Sequence, residues 1–251
     1  MAFVVAADYD RFMGRYSVPL AVSFADWAGV QPGQRVLDVG CGPGALTARL
    51  VEVVGAEQVS AVDPSPPFVA AARERHPGVE VVTAGAERLP HGDGTFDVVL
   101  AQLVVHFMTD PVAGLREMGR VTRGGGTVAA CVWDLAGGGG PLSLFWRAAH
   151  DVDPGAPDES LRPGVREGDL GRLCRDARLD TIVSGSISVT VRHPSFEQWW
   201  EPYTLGIGPA GDHVAHLDEA GRTMLRERCR ELLPSAPFDV SATAWAVRAT
   251  S

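Results

Sequence analysis

Val36-Leu37-Asp38-Val39-Gly40-Cys41-Gly42-Pro43-Gly44-Ala45-Leu46-Thr47 is the stretch whose chemistry decides the fold. Val36 to Val39 is a short apolar, β-branched run of the kind that fills a buried parallel strand, and it stops at three glycines spaced two apart. Without a Cβ, such residues allow a tight turn and let a ligand lie directly on the backbone. Pro43 suits the first position of a helix, where a missing N–H costs nothing, and Ala45 to Val54 continues as a helix. Strand, glycine turn and helix together make a nucleotide-type binding corner.

Two readings of that corner compete. Gly40, Gly42 and Ala45 satisfy the dinucleotide pattern G-x-G-x-x-G/A, and Asp63 follows where a ribose-binding acid is expected, which would suit an NAD-dependent oxidoreductase. A pyrophosphate, however, wants free N–H groups at the helix N-terminus, and Pro43 removes one of them. Asp38 also sets a carboxylate where phosphates would come close. Such a carboxylate makes better sense beside a cation. Asp38 to Gly44 matches D/E-x-G-x-G-x-G, and in this the chain resembles the class I S-adenosylmethionine (SAM)-dependent methyltransferases, in particular their type 11 group. SAM carries an ammonium and a sulfonium and no phosphate.

The resemblance implies a Rossmann-like, doubly wound α/β fold. Its sheet has seven strands, mostly parallel with one antiparallel, and carries a helical lid. A single domain over residues 1–251 is expected, with an N-terminal helical cap (1–34), a SAM-binding core (35–133), and a lid with the C-terminal strands (134–251). Only residues 35–133 carry specific motifs; no internal repeat or linker divides the chain.

Composition narrows the partners. The chain has 251 residues, a net charge of −9, and arginine as its only strongly basic residue type. An acidic chain with no basic stripe is a poor ligand for nucleic acid or anionic membrane, so a small molecule is the expected partner. Met1 to Asp8 has no basic n-region, and no apolar run reaches ~18 residues. Cys41, Cys131, Cys174 and Cys229 lack disulfide density or metal spacing, which suggests a reducing, cytoplasmic setting. A monomer or homodimer without a metal is expected.

Along the chain, the resemblance assigns further residues. A leading helix would close over SAM with Arg15 and Tyr16 near its methionine carboxylate, since guanidinium pairs bidentately with carboxylate; packing on the sheet edge is the alternative for Tyr9, Arg15 and Tyr16. Asp63, at the tip of a strand over Gln58 to Val62, would accept hydrogen bonds from the ribose hydroxyls, with Pro64 beside it. Ser65 is the better helix cap there, which leaves Asp63 free. Phe68 would cover the adenine. Gly85 stands where the family commonly carries Asp, so the backbone of Ala86 would meet the ring and Glu87 would either replace the missing side chain or face solvent.

A fourth strand over Thr95 to Ala101 places Ala101, Gln102 and His106 at the carboxyl end of the sheet, where ligands bind. His106 is the candidate general base, with pocket bracing as the alternative. His150 and His193 are weaker candidates, and His213 with His216 reads as a solvated helix face. Gly124 to Gly126 should turn into a fifth strand over Thr127 to Trp133, Gly137 to Gly140 should be a flexible break, and Asp153 to Gly164 a mobile surface loop. Trp133, Phe145, Trp146, Phe196, Trp199, Trp200 and Tyr203 would line an acceptor pocket or form core. A hydrophobic or aromatic methyl acceptor is then expected, SAM leaving as S-adenosylhomocysteine. A SAM-binding protein without methylating activity is the alternative.

Overall fold

The computed structural model describes residues 6–251; the first five residues of the N-terminal cap lie outside them. Short β-branched runs separated by helical segments dictate the core. The strands are β1 (Val36–Val39), β2 (Val59–Asp63), β3 (Glu80–Thr83), β4 (Phe96–Gln102), β5 (Thr122–Trp133), β6 (Asp180–His193) and β7 (Phe238–Thr250). They form one sheet in the order β3-β2-β1-β4-β5-β7-β6. Pairing is parallel from β3 through β5, and β7 runs antiparallel to both of its neighbours. The Rossmann-like sheet with one antiparallel strand is therefore as the sequence implies.

The helices are α1 (Ala6–Tyr9), α2 (Arg15–Ala28), α3 (Ala45–Val54), α4 (Pro66–Arg75), α5 (Pro111–Val121), α6 (Ser143–Val152), α7 (Asp169–Asp176), α8 (Phe196–Trp200), α9 (Gly208–His216) and α10 (Glu219–Leu232), with a π-helical turn at Asp10–Gly14 between the first two. Strand alternation sorts side chains onto the two faces. Val36, Val98 and Leu100 join α2, α3 and α4 in one apolar layer. Leu37, Val39, Val99 and Ala101 join α5 and α7 in the other. Asp38 and Gln102 share the first face by the same alternation.

β5 begins at Thr122 rather than Thr127: Thr122 pairs with Phe96, the register then shifts, and the three glycines absorb the offset. The Gly137–Gly140 segment is a turn folded around Asp134, whose Oδ1 accepts from Gly137 N at 2.8 Å. Gly168, at φ 80°, forms the N-cap of α7. At α5 the Asp110 carboxylate accepts from Ala113 N at 2.9 Å and caps the helix. Asp110→Ala is expected to cost about 1 kcal/mol and to lower Tm by about 2–4 °C in a chain of this size, as scanning calorimetry would show.

A third apolar cluster joins α6, α8, α9 and α10. Phe145 stacks on Tyr203 with ring centroids 4.4 Å apart, and Trp199 is 2% exposed among them. Of the two alternatives for the seven aromatic residues named above, core holds for six, and Trp133 alone lines the large cavity described next. The others fill the interior of the helical cluster because their area is best buried against one another.

Candidate functional site

A cavity of about 510 Å³ opens beyond the carboxyl ends of β1, β2 and β4. The glycine turn makes its floor. Gly40 N and Cys41 N both donate to Val62 O, at 2.7 and 3.0 Å, which ties the turn to β2. Gly40 holds φ 73°, and a Cβ there would overlap the Val104 side chain. Asp63 sits at the tip of β2. Its Oδ2 accepts from Gly42 N at 2.8 Å and its Oδ1 from Ser65 N at 2.8 Å. The Ser65 side chain makes no cap on α4, so Asp63 is not free as expected; it braces two loops. Each carboxylate oxygen still has a second lone pair for a ligand hydroxyl.

Asp38 is buried and its Oδ2 accepts from Thr47 Oγ1 at 2.6 Å. Burial pushes its pKa up to about 7; the Thr47 hydrogen bond opposes this and the Asp63 charge adds to it. Burial also raises Asp63, against the Ser65 and Gly42 hydrogen bonds. Tyr9, whose ring meets Phe68 edge-on at 5.6 Å, is pushed to about 12 by burial and then by Asp63. Two desolvated carboxylates at one end of a cavity are unfavourable alone and are relieved by a cation. The donor set therefore fits a ligand with ammonium and sulfonium groups. It suits a pyrophosphate poorly, since the phosphates would face the buried Asp38 carboxylate and Pro43 removes one N–H from the turn.

Seven buried side-chain polar atoms have no hydrogen-bond partner among the described residues, and four of them belong to lining residues: Ser17 Oγ, Gln102 Oε1, His106 Nδ1 and Trp133 Nε1. Such orphans are rare in protein interiors, and these four are placed to bond water or a polar guest in the cavity. Gln102 is held by its Nε2, which donates to Ser17 O at 3.0 Å. His106 lies on a single 3₁₀ turn at Val105–Phe107, and burial, assisted by the Arg162 charge, lowers its pKa to about 3.

The structure brings Asp38, Gly40, Cys41, Gly42, Asp63, Pro64, Phe68, Gln102 and His106 to one cavity. Six other residues assigned to the cofactor from the resemblance lie outside its lining. Arg15 is turned away: its Nε donates to Arg11 O at 2.9 Å and its Nη1 to Gln198 O at 3.2 Å. Tyr16 Oη lies 3.0 Å from His193 Nε2, beneath β6. The helical stripe that faces the cavity is instead Tyr9, Met13 and Ser17, at four-residue spacing. Gly44 is covered by His76, whose Nε2 is 3.1 Å from its carbonyl oxygen. Ala101 points into the opposite layer by strand alternation. Ala86 is buried in that layer too, and Glu87 Oε1 accepts from Thr109 N at 2.9 Å, bracing the loop before α5.

The sequence reading missed Glu159 and Arg162. Both come from the segment expected to be a mobile surface loop, and both line the cavity. Glu159 is 8% exposed and its Oε2 accepts from Trp146 Nε1 at 3.0 Å. The Glu–x–x–Arg spacing was the available signal; nothing in it names Trp146 as the anchor.

Comparison with known proteins agrees with this geometry. The family described as "Methyltransferase domain" matches residues 37–130. A demethylmenaquinone methyltransferase of Beutenbergia cavernae is 43% identical over 101 residues, 40% of this chain and 41% of that protein. The match thus spans less than half of that relative's length. An uncharacterised protein of Mycobacterium bovis is 32% identical over 221 residues, 84% of this chain and 78% of its own. Among solved structures, a SAM-dependent methyltransferase from Aquifex aeolicus superposes with a TM-score of 0.51 at 25% identity, covering 68% of this chain and 84% of that one.

Proposed function

We propose, from the premise that this chain belongs to the SAM-dependent methyltransferases, that it methylates a small hydrophobic, ring-bearing molecule by in-line displacement. One observation carries the reading: the cavity has two desolvated carboxylates beside a glycine turn at one end and a wall of apolar side chains beyond. SAM, when bound, supplies an electrophilic methyl group on a positively charged sulfur. Asp38 and Asp63 would hold the cationic molecule and its ribose, and Phe68 an apolar ring. Leu103, Val104, Leu135 and Ile207 offer the acceptor an apolar surface. Holding donor and acceptor in line can supply up to ~7–11 kcal/mol of a displacement barrier. The helical cluster around α9 would act as the lid, since Ile207, Gly208 and Pro209 reach the cavity. A cytoplasmic monomer or homodimer remains our working assignment. No helix among the described residues is long and apolar enough to cross a membrane.

Calorimetric titration with SAM, S-adenosylhomocysteine and NAD tests the cofactor, and mass spectrometry on a panel of quinols, phenols and polyketide-like compounds tests the transfer. Tight binding of the first two ligands and a gain of one methyl on an acceptor are expected. NAD binding alone would overturn the reading. Gly85, in place of the family's Asp, favours one alternative, a SAM-binding protein that does not methylate. Release of S-adenosylhomocysteine only when acceptor is present rejects it.

The Asp38 pKa gives a pH dependence with a definite sign. A carboxyl raised in the folded state binds its proton more tightly there than in the unfolded chain. Its stabilisation of the free protein is therefore full below about 4, the ordinary carboxylate value, and is lost as pH rises to about 7. A bound cation favours the ionised form, so SAM affinity should fall by up to about tenfold per pH unit below 7. Titration at pH 5.5, 6.5 and 7.5 checks this; Asp38→Asn should flatten the slope, and an unchanged slope in that variant would assign the dependence elsewhere.

A further inference from the structure

Beyond the cofactor end, the cavity has a second polar group with the opposite chemistry. Arg162 is the one arginine in the lining among the described residues. Its guanidinium lies 5.0 Å from the Phe107 ring centroid, and its Nε faces Glu159 Oε1 at 3.4 Å. Glu159 is itself fixed, because its other oxygen takes the Trp146 N–H at 3.0 Å. The Glu159 carboxylate thus pairs with the guanidinium on its Nε side, while the two Nη groups make no hydrogen bond among the described residues. His106 borders the same end. It is 7% exposed, its ring lies 3.9 Å from that of Phe107, and its Nδ1 has no partner among the described residues.

A fork of donors held at its back edge matches a planar oxyanion. A neutral imidazole beside it is a hydrogen-bond donor or acceptor but a feeble proton acceptor at neutral pH, given its lowered pKa. A protonated hydroxyl bound there would find no effective base. An acceptor that arrives already ionised needs none. Resting on the methyl-transfer reading, we infer that this end of the cavity selects the methyl acceptor as an anion, the ionised hydroxyl of a ring or an enol, held by the Nη groups of Arg162 with His106 as neutral hydrogen-bond partner.

Binding, measured apart from turnover, tests this. The protein saturated with S-adenosylhomocysteine is titrated at pH 7.5 with 2-hydroxy-1,4-naphthoquinone, which is ionised there, and with its neutral methyl ether, which has nearly the same shape. Wild type should bind the anion at least about tenfold more tightly, as one charge-assisted pair allows. Arg162→Gln should reduce that ratio to about twofold or less, and Arg162→Lys should restore part of it. Glu159→Gln keeps an oxygen for Trp146 and removes the competing charge, so it should tighten binding of the anion. Were the pair only a loop clamp, both glutamine variants would weaken binding of both rings alike. Equal binding of the two rings by wild type, binding of neither, or a preference that survives Arg162→Gln would overturn the inference. S-adenosylhomocysteine affinity is the separate readout: its absence in wild type would sink the methyl-transfer reading, whereas its retention in Arg162→Gln shows the variant folded.

Discussion

Asp63→Ala is expected to weaken binding of SAM and S-adenosylhomocysteine by at least about 100-fold, close to 3 kcal/mol, with a much smaller change in the stability of the free protein. The two effects separate because this carboxylate does opposing things. Without ligand its burial is unfavourable, as the raised pKa shows, and that cost offsets what its bonds to Gly42 N and Ser65 N contribute. Removing it relieves the first and loses the second, so the free protein changes little. The ligand-bound state gains nothing from the relief. It loses an acceptor for the ribose hydroxyls, each charge-assisted bond contributing about 1.5–3 kcal/mol, and it loses the brace that fixes the glycine turn against β2. Calorimetry on wild type and variant, with denaturant melts of both, reads the two quantities. Binding within about threefold of wild type would remove Asp63 from the cofactor site.

What the sequence could not supply follows from the same geometry. The span from β1 to the end of β5 was legible because each strand is a short apolar run closed by turn residues, and because Gly40, Gly42 and Gly44 sit at a strand end. Side-chain direction was not legible where two neighbouring positions on one helix or strand compete. Ser17 rather than Tyr16, and Gln102 rather than Ala101, face the cavity. Strand alternation predicts the second choice once the sheet faces are known; the first depends on how α2 is rotated against the sheet, which turns Tyr16 toward His193 of β6. Glu159 and Arg162 were hidden for another reason. A segment rich in proline and acids has no period to read, and it is ordered by a bond from Trp146, which is remote from the motif-bearing core. The aromatic residues could be pocket or core from sequence alone; they are core because a helical cluster of this size needs its own interior, and Phe145, Trp199 and Tyr203 fill it.

Gly40→Ala is expected to abolish measurable binding of S-adenosylhomocysteine and to destabilise the protein by about 2–4 kcal/mol, from two separable causes. A side chain at φ 73° carries a conformational cost of about 1–2 kcal/mol that no rearrangement nearby removes. The methyl group would also overlap the Val104 side chain, whose branching at Cβ leaves it little freedom to rotate away. Val104 sits between β4 and the turn that carries His106, so displacing it disturbs both ends of the cavity at once. Val104→Ala in the same chain should relieve the overlap and leave the backbone cost, recovering about half of the lost stability, a coupling that two independent sites would not show. Gly42→Ala serves as the comparison: its φ of 54° carries a similar conformational cost, but a Cβ there meets nothing within 4 Å. Gly42→Ala should therefore lose only about 1–2 kcal/mol and gain nothing from Val104→Ala. Denaturant melts of the two glycine variants, each with and without Val104→Ala, and of Val104→Ala alone decide it. If Val104→Ala rescues neither or both, the close approach of Gly40 to Val104 is not what makes glycine necessary at that turn.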